Sequence, residues 1–197
     1  MKFSEYQTTA KEFSIGGGEF WKPEAGENRI RVLTEYAVYG QHWIQADNRS
    51  YVCVGEEKGC RYCKAEIQPA PVFLMWIVTR NDNTLKIAQV TYSIIKQLGE
   101  LAESEDWGFK ALPEYDMVIS KAGEKKKTRY TITPCRESED LTEEEVAKTK
   151  SGLGELGDLI TKMKKKVLEE MEQPKEIEPQ FGEGPEQEEI QKEEIPE

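Results

Sequence analysis

The sequence predicts a mainly β domain with α-helical additions, followed by a disordered acidic tail. Short segments in which apolar and polar residues alternate dominate the stretch between about residues 27 and 133, as they do in β-strands. Apolar residues at three- and four-residue steps follow between Leu153 and Val167, which indicates an amphipathic helix. The last part of the chain is rich in Glu, Gln and Pro, a composition that cannot form a core.

The predicted chain has four parts. Residues 1–19 form a flexible arm, residues 20–140 the β body, residues 141–171 a C-terminal helix, and residues 172–197 the disordered tail. The tail contains ten Glu and two Lys, so it carries −8 of the net charge of −11 and leaves only −3 for the first 171 residues. The acidic total charge therefore does not exclude a polyanionic partner for the body.

The first predicted strand spans residues 27–39 and is expected to be long and bent. Within it, Ile30 and Val32 alternate with Arg29 and Arg31. A period of two places both arginines on the face opposite the aliphatic side chains. That face is either simply solvated or a surface that contacts phosphates.

The remaining strands are predicted at residues 72–80, 84–92, 115–121 and 128–133. The run at 72–80 is almost continuously apolar, which is typical of a strand covered on both faces. Asn81-Asp82-Asn83 is a turn signal that makes the first two segments a hairpin. Ser93 is predicted to cap a helix that extends to about Glu103. Five strands with one interposed helix and a long first strand fit an oligonucleotide/oligosaccharide-binding (OB) barrel, a five-stranded Greek-key fold.

The C-terminal helix begins with a capping-box signature, Thr142-Glu143-Glu144-Glu145. Its apolar stripe requires a surface to cover. We expect the helix to dock on the barrel rather than on a second copy of the chain. The stripe consists of Leu153, Leu156, Ile160, Met163 and Val167.

The only histidine and three of the four cysteines fall within residues 42–63. Cys60 and Cys63 are separated by two residues, so both thiolates can bind one metal ion from a single turn. Cys53 and His42 are expected to approach from the neighbouring extended segment. One His and three Cys form a complete tetrahedral shell for structural zinc, with no open position for a catalytic water.

The cysteines could also serve redox chemistry or disulfide formation. A redox dithiol at Cys60 and Cys63 is disfavoured because the strand–helix pattern around such motifs is absent. A disulfide framework is disfavoured because the chain is long, highly charged and shows no signal peptide. Cys135 follows a predicted strand and stays an alternative to His42 as the fourth ligand, although His42 lies closer to the cluster. Free cysteines without a leader indicate the cytoplasm, and no apolar run reaches the roughly 20 residues that span a membrane.

Several motifs within about residues 20–140 resemble the helix-destabilising, single-stranded DNA-binding proteins of the T-even bacteriophages. The motifs are Phe20-Trp21-Lys22-Pro23 with Gly26-Glu27-Asn28-Arg29-Ile30-Arg31, Gly59-Cys60-Arg61-Tyr62-Cys63-Lys64, Val78-Thr79-Arg80 followed by Ser93-Ile94-Ile95-Lys96-Gln97-Leu98, and Tyr130-Thr131-Ile132-Thr133-Pro134. The resemblance implies a zinc-bearing OB barrel with an acidic tail. It also implies His42, Cys53, Cys60 and Cys63 as the zinc ligands, in that chain order.

The resemblance further implies sequence-independent binding of single-stranded DNA in phage replication, recombination and repair. Residues 1–20 offer no clear match to the family's basic N-terminal arm, so self-association on DNA stays an open expectation. Bases would stack on aromatic rings while cations follow the phosphates. The candidates for stacking are Tyr36, Tyr39, Trp43, Tyr51, Tyr62 and Trp76. The candidates for phosphate contacts are Arg29, Arg31, Arg80, Lys86, Lys121, Lys125, Lys126 and Lys127.

The same residues bear on two further classes of function. The alternative to DNA binding is a zinc-stabilised protein-interaction module that does not bind DNA. Enzymatic activity is disfavoured because the one histidine is a predicted ligand and the chain has no nucleophile or phosphate-cradling motif. The tail is expected to compete with DNA for the basic groove and to recruit replication and recombination proteins, unless it serves solubility alone.

Overall fold

A computed structural model describes residues 20–46, 48–124 and 127–172. Its seven strands form one sheet with antiparallel pairing, so the mainly β prediction is confirmed. The predicted arm and all of the predicted tail beyond residue 172 lie outside the described residues. The strands are β1 Gly26–Val32, β2 Ala37–Ile44, β3 Arg49–Val52, β4 Ala70–Thr79, β5 Thr84–Val90, β6 Met117–Ala122 and β7 Arg129–Pro134. The helices are α1 Arg61–Lys64, α2 Tyr92–Ala102 and α3 Glu143–Glu172, with a 3-10 turn at Glu56–Lys58.

The predicted first strand is divided into β1 and β2. β5 pairs along one edge of β4, so β1 and β2 follow one another along its other edge. Two hydrogen bonds bridge the break between them. The Leu33 amide donates to the Trp76 carbonyl at 2.9 Å, and the Trp76 amide donates to Thr34 Oγ1 at 3.0 Å. The pair therefore acts as one bent strand with an irregular middle.

The sheet is open. Its order is β3-β2-β4-β1-β6-β7, with β5 on the free edge of β4. In the part of the chain that the structure describes, no pairing joins β5 to β7, where a closed barrel would need one. The prediction of five strands was too low because the first segment divides and because β3 was not predicted.

Two apolar cores lie on opposite faces of the sheet. β4 contributes to both, since Phe73 and Met75 point to one face and Val72 and Leu74 to the other. The predicted coverage of this strand on both faces is therefore confirmed. The first core consists of Ile30, Val32, Phe73, Met75, Ile77, Ala88, Val90, Ile94, Met117, Ile119 and Ile132. The second core consists of Tyr39, Val52, Val72, Leu74, Leu156, Ile160 and Met163.

Helix α2 covers the first core and begins two residues earlier than predicted. Thr91, not Ser93, precedes the helix in extended conformation, and Ser93 lies in its first turn. The two hydroxyl groups hydrogen-bond to each other at 2.9 Å. Gln97 then bonds the helix to β7, since its amide nitrogen donates to the Tyr130 carbonyl and its oxygen accepts from the Ile132 amide.

Helix α3 covers the second core and begins with the predicted capping box. The Glu145 amide donates to Thr142 Oγ1 at 3.3 Å, and the Thr142 amide donates to Glu145 Oε2 at 3.1 Å. Leu156 of the predicted stripe is fully buried, whereas Leu153 is 42% exposed and lies outside the contact. Among the described helices, none has both the length and the apolar character that a membrane span requires.

Candidate metal centre

The four predicted ligands are carried by a small subdomain built from β2, β3 and α1. His42 lies on β2 opposite Tyr51 of β3. Cys53 follows β3 directly, and its amide donates to the Gly40 carbonyl at 2.8 Å, which continues the ladder. Cys63 lies in the single turn of α1, and Cys60 immediately precedes that turn. A hairpin and a turn thus bring the four side chains together.

Two glycines shape the connection that presents Cys60. Gly55 and Gly59 have φ angles of 95° and 81°, values that residues other than glycine rarely adopt. The Gly59 amide donates to the Glu56 carbonyl at 2.9 Å, and the Cys60 amide donates to the Gly55 carbonyl at 3.1 Å. The backbone conformation therefore favours glycine at the position before the Cys-x-x-Cys pair.

The four donor atoms lie within 4.8 Å of one another. Cys60 Sγ is 3.4 Å and Cys63 Sγ 3.6 Å from His42 Nε2, and Cys53 Sγ is 3.4 Å from Cys63 Sγ. Around tetrahedral zinc, bonds of roughly 2.0–2.3 Å place neighbouring ligand atoms about 3.5–3.8 Å apart. The cluster therefore has the dimensions of a tetrahedral metal site.

The electrostatics of the cluster favour a bound cation. Contact with the Cys53 thiol, together with burial and the Cys60 thiol, raises the pKa of Cys63 to about 12. Burial also raises the pKa of Cys60, but hydrogen bonds from the backbone amides of Cys63, Tyr62 and Val54 outweigh it, so the net shift is downward. Adjacent thiols resist joint ionisation, and a metal ion removes this penalty because it binds each thiolate directly.

The same geometry decides between the alternatives for the fourth ligand. His42 is fully buried and points Nε2 at the cysteines. Cys135 lies elsewhere, next to Asp116, whose carbonyl accepts a hydrogen bond from the Cys135 amide at 2.8 Å. The metal site that the structure supports therefore contains His42 and not Cys135. His42 Nδ1 is buried and has no hydrogen-bond partner among the described residues.

An aromatic and cationic surface, formed by Arg49, Tyr51, Arg61 and Tyr62, adjoins the centre. The rings of Tyr51 and Tyr62 lie 4.9 Å apart with planes inclined at 34°. The Arg61 guanidinium is 4.8 Å from the Tyr62 ring, and the Arg49 guanidinium is 5.5 Å from the Tyr51 ring. Because the Tyr62 ring is also 5.4 Å from that of His42, the metal site and this surface are directly connected.

The other predicted stacking residues are dispersed. Trp43 and Tyr36 are exposed, at 57% and 49%. Tyr39 belongs to the second core, where burial raises its pKa to about 12. Trp76 lies beneath α3, with Lys148 Nζ 4.3 Å from its ring centre. Tyr39 and Trp76 are therefore core residues in this structure.

The three arginines proposed for phosphate contacts converge on one buried carboxylate, that of Asp116. Arg29 Nη2 lies 3.1 Å, Arg80 Nε 3.2 Å and Arg31 Nη1 3.5 Å from its oxygens. Arg80 also pairs with Glu145 at 3.2 Å. The arginines of β1 therefore do not form the expected open face. They belong to an ion cluster, because the carboxylates that pair with the three arginines come from distant parts of the chain.

The predicted lysines have separate surroundings. Lys86 pairs with Asp82 at 2.7 Å, and Lys121 donates to the Pro23 carbonyl at 3.0 Å. Lys127 is exposed, whereas Lys125 and Lys126 lie outside the described residues. Lys86 and Lys121 thus have partners other than Asp116, the residue on which the three arginines converge.

Arg49 and Arg61 are not among the residues predicted from the sequence, although they lie close to predicted tyrosines. Arg61 directly precedes Tyr62, and Arg49 lies two positions before Tyr51, on the same face of a strand. That alternation is visible in the sequence, but the predicted strands do not include β3. Comparisons of the chain with models of protein families, with curated proteins and with solved structures find no match.

Proposed function

We propose that this chain is a zinc-containing, sequence-independent single-stranded DNA-binding protein of phage replication, recombination and repair. The observation that carries the proposal is the surface of two tyrosines and two arginines that rests on the Cys/His centre. Sequence-tolerant binding of single strands needs this combination, because every base has a face that stacks on an aromatic ring while cations follow the phosphates.

Zinc is the metal that the donor set favours. Three thiolates and one imidazole are the ligands of structural zinc sites, and four protein donors leave no position for a reacting water. Its proposed role is therefore to hold the β2–β3 hairpin and α1 in a fixed relation. In that relation Tyr51 and Tyr62, which belong to separate segments, present their rings together.

The order of elements supports an OB-type architecture. The bent β1–β2 strand is followed by β4 and β5, then by α2, then by the β6–β7 hairpin. This is the order of an OB fold whose first connection contains the Cys/His subdomain. Sheets of this type commonly bind extended nucleic acid chains, which is consistent with the proposal.

The acidic segment after α3 has a separate proposed role. As a polyanion it competes with DNA for cationic groups near the Cys/His centre and recruits basic surfaces of replication proteins. Deleting residues 173–197 should then tighten DNA binding, most strongly at low salt. Equal affinity with and without this segment at low salt would contradict the competition.

Fluorescence titration with oligo-dT at several salt concentrations tests the main proposal, with duplex DNA as the control. Four tryptophans, among them the exposed Trp43, supply the signal. We expect binding whose log K falls linearly with log salt, by about 0.7 for each phosphate neutralised. If the zinc-loaded protein lacking residues 173–197 does not bind at low salt, the protein-interaction module becomes the better proposal.

Two substitutions locate the binding surface. Arg49→Gln should lower the salt slope by about 0.7, since one phosphate contact is lost. Tyr62→Leu should weaken binding by about 1–3 kcal/mol, roughly 5- to 150-fold, because one stacked base is lost. Lys96→Gln is the matched control, since Lys96 is an exposed cation on α2 with 64% of its side chain accessible. Zinc content should be measured for each variant, because Tyr62 contacts His42.

A further inference from the structure

We propose that Cys53 and Cys63 form an oxidisable pair that a peroxide converts into a disulfide, with release of the metal ion. The inference rests on the proposed zinc site but not on DNA binding. It differs from what the sequence motif suggests, because Cys-x-x-Cys spacing would nominate Cys60 and Cys63 as the redox pair.

The four ligands differ in their accessibility. Cys53 and Cys63 are half-buried, whereas Cys60 is 1% exposed and His42 is fully enclosed. A dissolved oxidant therefore reaches the first two sulfurs and not the third. Oxidation of cysteine depends on this access as well as on thiolate character, which a bound metal ion supplies.

The two accessible sulfurs are also in contact with each other, at 3.4 Å. They come from different segments, the end of β3 and the turn of α1. Sulfur atoms at this separation need to approach by only about 1.4 Å to reach the length of a disulfide bond, about 2.05 Å. Neither the hairpin nor α1 has to unfold first.

Cys60 lies on the enclosed side of the cluster. Its sulfur is 3.4 Å from Nε2 of the buried His42, and its amide donates to the Gly55 carbonyl at 3.1 Å. Only 1% of the residue is exposed, so its sulfur is shielded from a dissolved oxidant. Cys60 is thus the ligand that retains its position while the accessible pair reacts.

The chemistry balances with hydrogen peroxide as the oxidant. One thiolate attacks a peroxide oxygen, which breaks the O–O bond and gives a sulfenic acid and, with one proton, water. The second thiolate attacks that sulfur and forms the S–S bond, and the departing hydroxide takes a second proton. Two electrons pass from the two sulfurs to the peroxide. Only Cys60 and His42 would then remain to hold a zinc ion, which would be released.

Oxidation would also reach the aromatic surface. Tyr62 adjoins Cys63 in sequence and Tyr51 lies two residues before Cys53, and their rings are in contact. Closing the sulfur–sulfur distance while the metal leaves would shift these segments relative to each other. A redox signal at the cysteines therefore changes the surface that the proposed function uses.

The test uses the full zinc-loaded chain without DNA. The protein is treated with hydrogen peroxide, free thiols are alkylated, and disulfides are mapped by peptide mass spectrometry while a chromophoric chelator reports released zinc. We expect one Cys53–Cys63 disulfide for each zinc ion released, and recovery of bound zinc after dithiothreitol and added zinc. A predominant Cys60–Cys63 disulfide, or zinc release without a disulfide, overturns the inference.

Cys135→Ser is the matched control. Cys135 lies beside Asp116, away from the Cys/His centre, so its removal should change neither the zinc yield nor the disulfide. A chain that binds no zinc refutes both the metal site and this inference. A chain that binds zinc but forms the wrong disulfide refutes the inference alone, and failure to bind DNA affects neither result.

Discussion

Two buried polar clusters lie in different regions of this protein, and they are neutralised in different ways. The Cys/His centre gathers four ligands from β2, β3 and α1, and three of them are thiols that become anionic on binding a metal ion. The Asp116 cluster gathers three arginines and two buried carboxylates from β1, the residue after β4, the residue before β6, and α3. A bound metal ion would supply the positive charge to the first cluster, whereas the second already contains both signs of charge.

The contrast between the two clusters predicts which region of the protein depends on a bound metal ion for its stability. Burial lowers the pKa of Arg31 while the Asp116 carboxylate opposes that shift, so the charge of one partner maintains the charge of the other. The Cys/His centre itself consists of three thiols and one imidazole, without a carboxylate–guanidinium pair. We therefore expect the Cys/His subdomain to depend on metal supply, and the region around Asp116 to depend on sequence alone.

Metal removal should have the largest effect and should be local. Structural zinc contributes on the order of 10 kcal/mol in small zinc domains, so chelation should unfold the subdomain around residues 42–63. Hydrogen-exchange mass spectrometry should show lost protection there, while β6 and β7 stay protected. Uniform loss of protection across the sheet would mean that the two regions are not independent.

Asp116→Asn should have the next largest effect and should be global. The change leaves three arginines near a neutral group, and removal of one partner from a buried ion pair costs about 3–5 kcal/mol. Urea denaturation measures the free energy of unfolding. Glu100→Gln is the control, since it breaks an exposed pair with Lys96 and should leave the midpoint unchanged. Zinc content should stay at the wild-type level, and its loss would contradict the separation of the two clusters.

Gly152→Ala should have the smallest effect of the three and tests the link through α3, which carries Glu145. An added Cβ would lie 2.6 Å from Trp76 Cδ1 and 2.7 Å from Thr34 Cγ2, so the helix must shift outward. Overpacking of this kind costs about 1–3 kcal/mol. Gly154→Ala in the same helix meets nothing within 4 Å and should stabilise the protein by up to about 1 kcal/mol. Equal effects of both changes on the denaturation midpoint would argue against close docking at Gly152.

The two clusters also differ in how far the sequence predicted them. His42, Cys53, Cys60 and Cys63 fall within a short stretch, and their residue types alone suggest their chemistry. The Asp116 cluster was not predicted. Arg29 and Arg80 are common surface residues, and the carboxylate that neutralises them lies 87 and 36 positions away. Spacing carries no signal over such separations when the residue types are abundant.

Local sequence was sufficient to predict the strand-rich body, its buried central strand, the capping box of α3 and the clustering of one histidine with three cysteines. Each of these depends on residues close together in the chain, whose periodicity or chemistry is visible locally. Only the folded chain showed three other features. The sheet is open, α3 covers Trp76, and Arg31 and Arg80 are buried. These features depend on contacts between segments that are far apart in the sequence. Such contacts determine how the elements pack and which charges pair, and the sequence of a single segment does not specify them.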